Sequence, residues 1–374
     1  MNENAKKTSM IFRQEEEFFV NESFEQVLCR WYESNHRKLP WRETSDPYKI
    51  WISETMLQQT RVETVIPYYF RFLEQFPTVQ DLAKADEQQV LKIWEGLGYY
   101  SRARNLHVAA KEITEKYCGK LPYDPKELLK LKGFGPYTTG AVASIAYNLP
   151  VPAVDGNVMR VMSRIEKCFS DITRAKTKKE IEGFVRAHMK NCAPCIFNQA
   201  LMELGATVCL PKNPKCLDCP VQKFCQAYQD GCALDLPIKS KAKARKKETH
   251  LVFYARDHEK RTWVQKRPNT GLLANLYELP HILVGSQEKE ACRRLKEDMF
   301  LDFQTEDGVV FRVSEVMLTF THLFTHIEWE LMVADAKVLH ALAGKSIGEF
   351  CTPAEIEKLP FAAPFLKIIN TVFV

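Results

Sequence analysis

The sequence predicts an all-α region followed by a smaller α+β domain. Apolar residues recur at three- and four-residue intervals in residues 82–97, 101–117, 125–131 and 178–189, the period of helices that bury one face. Pro77, Pro122, Pro150 and Pro152 separate these stretches. Residues 239–247 then hold six basic residues and no acid, the composition of a solvated linker able to touch phosphates. Beyond it the texture changes. Residues 250–255, 262–265, 309–313 and 328–333 read as short strands, and 288–299 and 352–359 as helices.

A chain of 374 residues is long enough for two or three domains, since a domain takes about 100–200 residues. The expected division is 1–237, a linker at 238–247, and 248–374. Hydrophobic residues make up 45% and charged residues 26%, as in ordinary globular proteins. No apolar run reaches the roughly 18 residues of a membrane span. The first twenty residues lack the apolar centre of a signal peptide, so the cytoplasm is the expected compartment. Nothing reads as a coiled coil, and a monomer is expected. The net charge of +5 permits a polyanionic partner without requiring one. Twelve cysteines in a reducing compartment argue against a disulfide framework and direct attention to those closely spaced.

Cys209, Cys216, Cys219 and Cys225 are spaced C-x6-C-x2-C-x5-C. Four thiolates within 17 residues can wrap one compact centre. A four-cysteine zinc site usually sets two C-x2-C knuckles further apart, so this spacing fits the corners of an iron–sulfur cubane better than zinc. Cys192 and Cys195 form another C-x2-C, but without a second pair nearby they read as buried or incidental thiols.

Residues 131–137 read Leu-Lys-Gly-Phe-Gly-Pro-Tyr. Gly133 and Gly135 permit backbone angles barred to other residues, and Pro136 suits the first turn of a helix whose free N–H groups would face an anion. Such a loop can grip a DNA phosphate; a plain turn between packed helices reads equally well from the residues alone. Next comes Asp155-Gly-Asn157-Val, where an aspartate before a helix is ordinarily an N-cap. Upstream, Trp51, Glu54 and Gln58 share one helix face. A glutamate beside Trp and Met is partly desolvated, which raises its pKa.

Taken together, these stretches resemble the endonuclease III superfamily of helix-hairpin-helix glycosylases, almost continuously over residues 24–228. Within it, three segments resemble the MutY-type adenine DNA glycosylases. These are Leu39-Pro-Trp41-Arg42 with residues 51–61, Gly96-Leu-Gly-Tyr-Tyr100, and Phe197-Asn-Gln199-Ala-Leu-Met-Glu-Leu-Gly205. The resemblance implies removal of adenine opposite 8-oxoguanine or guanine in double-stranded DNA, and one 4Fe-4S cluster on the four cysteines. Lys212, Lys215 and Lys223 would then meet phosphates. Glu54 would be the general acid, and Asp155, with Asn157 beside it, would stabilise the cationic sugar directly or through a transient adduct. Tyr137 stands where bifunctional members carry a nucleophilic lysine, so little or no lyase activity is expected. Trp41, Arg42 and Gln199 would contact adenine. Gln59, Thr60, Leu97, Gly98 and Tyr99 would line or wedge the emptied duplex.

Residues 248–374 resemble the Nudix-fold C-terminal domain of the same family, through Gly271-Leu-Leu-Ala-Asn-Leu-Tyr-Glu-Leu-Pro280. Arg294 and Phe300 occupy places of a catalytic Glu and Gly, so metal-dependent pyrophosphate cleavage is not expected. Phe324, Thr325 and His326 sit where the family reads the lesion, with Thr in place of the usual Ser. Two alternatives share the cluster and hairpin: a pyrimidine glycosylase and lyase, and a non-catalytic DNA-binding module with a redox cluster.

Overall fold

The computed structural model describes residues 22–241, 244–295, 298–340 and 348–372. In chain order the helices are α1 (Phe24–Asn35), α2 (Pro47–Leu57), α3 (Val62–Gln75), α4 (Val79–Lys84), α5 (Glu87–Ile93), α6 (Ser101–Lys116), α7 (Pro125–Leu128), α8 (Pro136–Ile145), α9 (Gly156–Ile165), α10 (Ala175–His188), α11 (Pro194–Thr207) and α12 (Gln226–Gln229). Among the described residues strands begin at the end of the basic segment: β1 (Lys246–Ala255), β2 (Thr262–Lys266), β3 (Tyr277–Glu278), β4 (His281–Leu283), β5 (Leu301–Gln304), β6 (Val310–Leu323), β7 (Ile327–His340) and β8 (Glu349–Cys351). Helices α13 (Ser286–Arg293), α14 (Pro353–Ile356) and α15 (Ala363–Val372) complete the order. Among the described residues no helix is long and apolar enough to cross a membrane.

Local chemistry sets many boundaries. Ser23 and Gln26 form a capping box at α1, and Asp46 caps α2 ahead of Pro47. The stretch 82–97, read from its periodicity as one helix, is two. Asp86 and Gln89 form a capping box that starts α5, because a short acidic side chain competes for the free N–H groups of a first turn. After α5 the chain turns through Gly96 (φ 90°) and Gly98 (φ 74°), angles that glycine adopts without strain.

The chain divides into two compact units: Ala83 and the described residues before it with Val108–Lys241, and Lys84–His107 with the described part of Ala242–Val374. In the first, Leu28 of α1, Val158 and Met162 of α9, Ile181 of α10 and Phe197, Leu201 and Leu204 of α11 form a buried core. Burying each such side chain contributes about 1.5–3 kcal/mol. Cys29 and Cys192 are joined as a disulfide between α1 and the residues preceding α11. This corrects the expectation that Cys192 is an unpaired thiol: residues 163 positions apart are brought together by the packing of α1 on α11, which spacing cannot show.

In the second unit, five strands run β4-β1-β7-β6-β5, with β1 parallel to β7 and the other neighbours antiparallel. A smaller sheet runs β3-β2-β8. Phe253 and Phe311 stack at 4.6 Å in a core with Leu251, Met332 and Ala334. The short strands expected at 309–313 and 328–333 are parts of the long hairpin β6–β7. Irregularities between Val313 and Glu315 and between Val316 and Leu318 shift the phase of the alternation, so the more buried positions pass from odd numbers (Phe311, Val313) to even ones over the rest of β6. Strand β1 also takes Lys246 and Lys247 from the end of the expected linker. The helix expected at 352–359 shortens to α14; of that expected at 288–299, the described helix α13 ends at Arg293, and residues 296 and 297 lie outside the described residues.

Residues 84–107 belong to this second unit through named bonds. Asn275 Nδ2 donates to Glu87 Oε1 (2.6 Å), Lys92 Nζ to the Leu359 carbonyl (3.0 Å), and the Phe361 N–H to Glu95 Oε1 (2.7 Å). Arg104 donates to the Ala274 carbonyl (2.5 Å) and the Tyr100 hydroxyl to the Phe361 carbonyl (3.2 Å).

Candidate active site

Helix α2 is almost wholly enclosed, with Ile50, Trp51, Ile52 and Met56 buried, and Glu54 among them is only 5% exposed. The Tyr137 hydroxyl, in the first turn of α8, donates to Glu54 Oε2 at 2.5 Å. Glu54 and Asp155 line one cavity of about 210 Å³ together with Trp41, Arg42, Tyr137 and Gln199. Thr60 and Asn157 line it too. Eight of the residues singled out in the sequence thus converge, although 158 positions separate the first, Trp41, from the last, Gln199 (199 − 41).

The two carboxylates differ in their surroundings. Burial pushes Glu54 up to about 7; the Tyr137 hydroxyl and Arg42 oppose the rise, and the Asp155 charge adds to it. Asp155 is the N-cap of α9, and its Oδ1 accepts from the Val158 N–H at 2.7 Å. Its Oδ2 accepts from Asn157 Nδ2 at 3.0 Å. Burial raises Asp155, while these donors and the positive end of α9 favour its charged form. The cap is present as the residues suggested, and Asp155 lines the cavity as well.

Behind Asp155 the bonds continue. Arg160 Nη2 donates to Asn157 Oδ1 (2.8 Å), and its Nε donates to the Cys209 carbonyl (2.8 Å). A Cβ on Gly205 would stand 2.6 Å from Asn157 Cβ, so only glycine lets α11 approach α9 this closely.

Four residues around the cavity escaped the sequence reading. Glu203 is fully buried, and bonds from Arg37 (2.8 Å) and Arg42 (2.7 Å) overcome burial to hold its carboxyl at about 2. Both Arg37 and Glu203 line the cavity. The Tyr32 hydroxyl donates to Gln199 Oε1 at 3.1 Å, and the ring of Tyr32 lies 5.4 Å from the Arg42 guanidinium. Arg160 completes the set. Glu203 alone left a signal, an acid one turn after Gln199 in an otherwise apolar helix.

The hairpin between α7 and α8 turns at Gly133 (φ 83°), a left-handed angle that suits glycine. Gly135 departs from the expectation: its φ of −89° is open to any residue, and it serves as N-cap of α8 with no atom near its would-be Cβ. What glycine leaves there is bare backbone at a helix N-terminus, the feature an anion needs.

Cys209, Cys216, Cys219 and Cys225 line a second cavity with Arg164 and Val221. Arg164, buried on α9, donates to Cys209 Sγ at 3.2 Å and to the Leu210 carbonyl at 2.8 Å. Among the described residues no three His, Cys, Asp or Glu side chains converge on the position of a single metal ion.

The remaining sequence candidates do not line this cavity. Gln59 (φ 58°) is exposed just past the end of α2. Leu97 is buried, whereas Gly98 and Tyr99 line a cavity of about 350 Å³ in the second unit with Phe324, Thr325 and His326. Those three form the tip of the β6–β7 hairpin, where the Phe324 N–H donates to the Ile327 carbonyl (2.9 Å). The hydroxyls of Tyr99 and Thr325 lie 3.0 Å apart, and Tyr99 holds a left-handed φ of 49°.

Residues 52–187 match the HhH-GPD superfamily of base excision DNA repair proteins, and residues 251–371 match the NUDIX domain. An adenine DNA glycosylase of Buchnera aphidicola subsp. Baizongia pistaciae is 32% identical, covering 81% of this chain and 83% of its own length. The adenine DNA glycosylase of Arabidopsis thaliana is 35% identical over 82% of this chain; this chain spans 56% of that longer protein. Among solved structures, a thermostable thymine-DNA glycosylase superposes with a TM-score of 0.50 at 28% identity, covering 55% of this chain and 95% of that one.

Proposed function

The chain belongs to the adenine DNA glycosylases, and on that premise we propose that it hydrolyses the N-glycosidic bond of adenine opposite 8-oxoguanine or guanine in duplex DNA. The observation that carries the reading is one cavity holding two carboxylates in different surroundings, Glu54 bonded to the Tyr137 hydroxyl and Asp155 at a helix N-terminus with the Val158 N–H and Asn157 as donors. The base must leave the stack to reach it. Protonated Glu54 gives its proton to a ring nitrogen of adenine, so the base can leave with the electron pair of the glycosidic bond. Asp155 stabilises the positive charge left on the sugar, held in place by Val158 and Asn157. Water then adds at the anomeric carbon and returns a proton to Glu54. Tyr137 orients Glu54 and offers no amine, so a Schiff base does not form and strand cleavage is not part of the reaction.

Trp41, Arg42 and Gln199 line the cavity and would contact the base. The backbone N–H groups around Gly135 would take a phosphate. Cys209, Cys216, Cys219 and Cys225 suit a 4Fe-4S cluster: four thiols face one cavity, and Arg164 supplies a cationic donor to one sulfur. When bound, the cluster would brace the loop 209–225, with Lys212, Lys215 and Lys223 near the DNA backbone. Phe324, Thr325 and His326 would read the oxidised base, and Gln59, Thr60, Gly98 and Tyr99 would fill or wedge the duplex. Burial argues against Leu97 doing so unless its turn rearranges. On this reading the protein would act in the cytoplasm on DNA, as a monomer.

A single-turnover assay on a duplex with adenine opposite 8-oxoguanine tests the reading. Free adenine is expected from the wild type and none from Glu54→Gln. No adenine from either, or an unchanged rate in the variant, defeats it.

A further inference from the structure

Tyr32 makes a contact that the proposed reaction does not use. It is buried on α1, and its hydroxyl meets Gln199 Oε1 at 3.1 Å. On the other side, Gln199 Nε2 donates to the Cys195 carbonyl at 3.0 Å, one turn earlier on α11. A carbonyl only accepts, so the amide nitrogen must face Cys195. The amide oxygen therefore faces Tyr32, and the phenol is the donor. The His36 ring stacks on Tyr32 at 4.7 Å and holds the phenol in place. Burial pushes the phenol up to about 12, so it keeps its proton at any working pH.

We propose that Tyr32 is a positioning residue that locks the amide of Gln199 and thereby makes the cavity select a purine carrying an exocyclic amino group. This rests on the reading of the cavity as the adenine pocket. With one lone pair given to Tyr32 and one N–H given to Cys195, Gln199 keeps one acceptor and one donor for the cavity. That pair matches an amino group beside a ring nitrogen, as adenine presents it. Guanine places a carbonyl oxygen where adenine has the amino group, and the acceptor of Gln199 would meet another acceptor. The terminal torsion of a glutamine is soft. Without the phenol, the amide can rotate away from this arrangement.

The test compares wild type, Tyr32→Phe, Gln199→Ala and the double variant. Single-turnover rates are measured on duplexes carrying either adenine or purine, the same base without its amino group, opposite 8-oxoguanine. Melting temperature and affinity for duplex carrying an abasic site are measured in parallel. Phenylalanine keeps the ring and its stacking, so only the hydroxyl is removed. Tyr32→Phe should slow adenine release about three- to tenfold, the worth of one hydrogen bond, slow purine release less because purine meets Gln199 only through its ring nitrogen, and leave abasic-site affinity unchanged. Gln199→Ala should narrow the adenine/purine ratio at least as far, and Tyr32→Phe should add nothing on that background. Equal slowing of both bases by Tyr32→Phe, or the same slowing with Gln199 absent, would overturn the proposal by showing a merely supporting role. A wild-type adenine/purine ratio in Gln199→Ala would overturn it as well, since Gln199 would not read the base. Wild-type protein that releases neither base would instead defeat the pocket reading itself, and this proposal with it.

Discussion

Glu54 and Asp155 share a cavity, yet Glu54 has one donor and Asp155 has two plus a helix N-terminus. The consequence can be measured against pH. The form of Glu54 that works is the acid, and burial raises its pKa to about 7. The acid fraction is therefore nearly complete below that value and falls tenfold per unit well above it. The single-turnover rate on adenine opposite 8-oxoguanine should decline as pH rises through about 7. An unshifted glutamate titrates near 4.3 and would put the decline roughly three units lower. A rate that stays level from pH 6 to about 9 would remove Glu54 from the acid role. At this scale the sequence showed that Glu54 sits beside Trp51 and Met56, which implies desolvation. It did not show that Tyr137 would meet it, because that bond joins residues 83 positions apart.

Helix α9 works as a strut between the cavity and the cysteine loop. Asp155 caps it, Asn157 turns back to Asp155, and Arg160 and Arg164 reach the backbone around Cys209. Spacings of three and four residues put these groups along neighbouring faces of one helix. Two expectations follow at this level. A methyl group at position 205 would press on Asn157, so Gly205→Ala should destabilise the protein by about 1–3 kcal/mol, as overpacking does. It should also slow adenine release, checked by denaturant unfolding and single-turnover rates on the same preparation. The cysteine loop supplies the second. Protein purified without oxygen should contain iron and sulfide and absorb broadly in the visible blue. Cys216→Ser should lower iron content and duplex affinity more than the rate of bound substrate. Stoichiometric zinc without iron would contradict the cluster. Spacing made the four thiols legible, whereas Arg164 was not, since an arginine in an amphipathic helix is ordinarily a surface residue.

For the chain as a whole, residues 84–107 are grouped with the C-terminal residues, not with their neighbours in sequence. Bonds from Glu87, Lys92, Glu95 and Arg104 to residues 274–275 and 359–361 hold them there. Removing everything after Lys241 would strip these partners from residues 84–107, so a truncated protein would confound lesion reading with folding. Thr325→Ala is the cleaner change. A lost hydrogen bond to a buried partner costs about 1–3 kcal/mol, roughly five- to a hundredfold in rate or affinity. The variant should therefore lose preference for 8-oxoguanine over guanine opposite adenine, within that range, while retaining adenine release. Measured rates on the two duplexes decide it. An equal drop on both would assign the hairpin tip to general DNA affinity.

Patterns confined to a short stretch of chain were decided by the sequence alone: helical period over most segments, the aspartate cap at Asp155, the glycine turn at Gly133, four thiols within 17 residues, and the change to strands at the end of the basic segment. Each depends on neighbours within a turn or two, which is the range over which backbone hydrogen bonding and side-chain periodicity act. Tertiary structure decided which distant groups meet. It paired Cys29 with Cys192, set Tyr32 on Gln199, buried Glu203 between two arginines, and put the Tyr99 and Thr325 hydroxyls in reach of each other. Those meetings depend on how helices and strands pack, and packing is a property of whole faces filled to high density. No single residue carries that information in its local spacing.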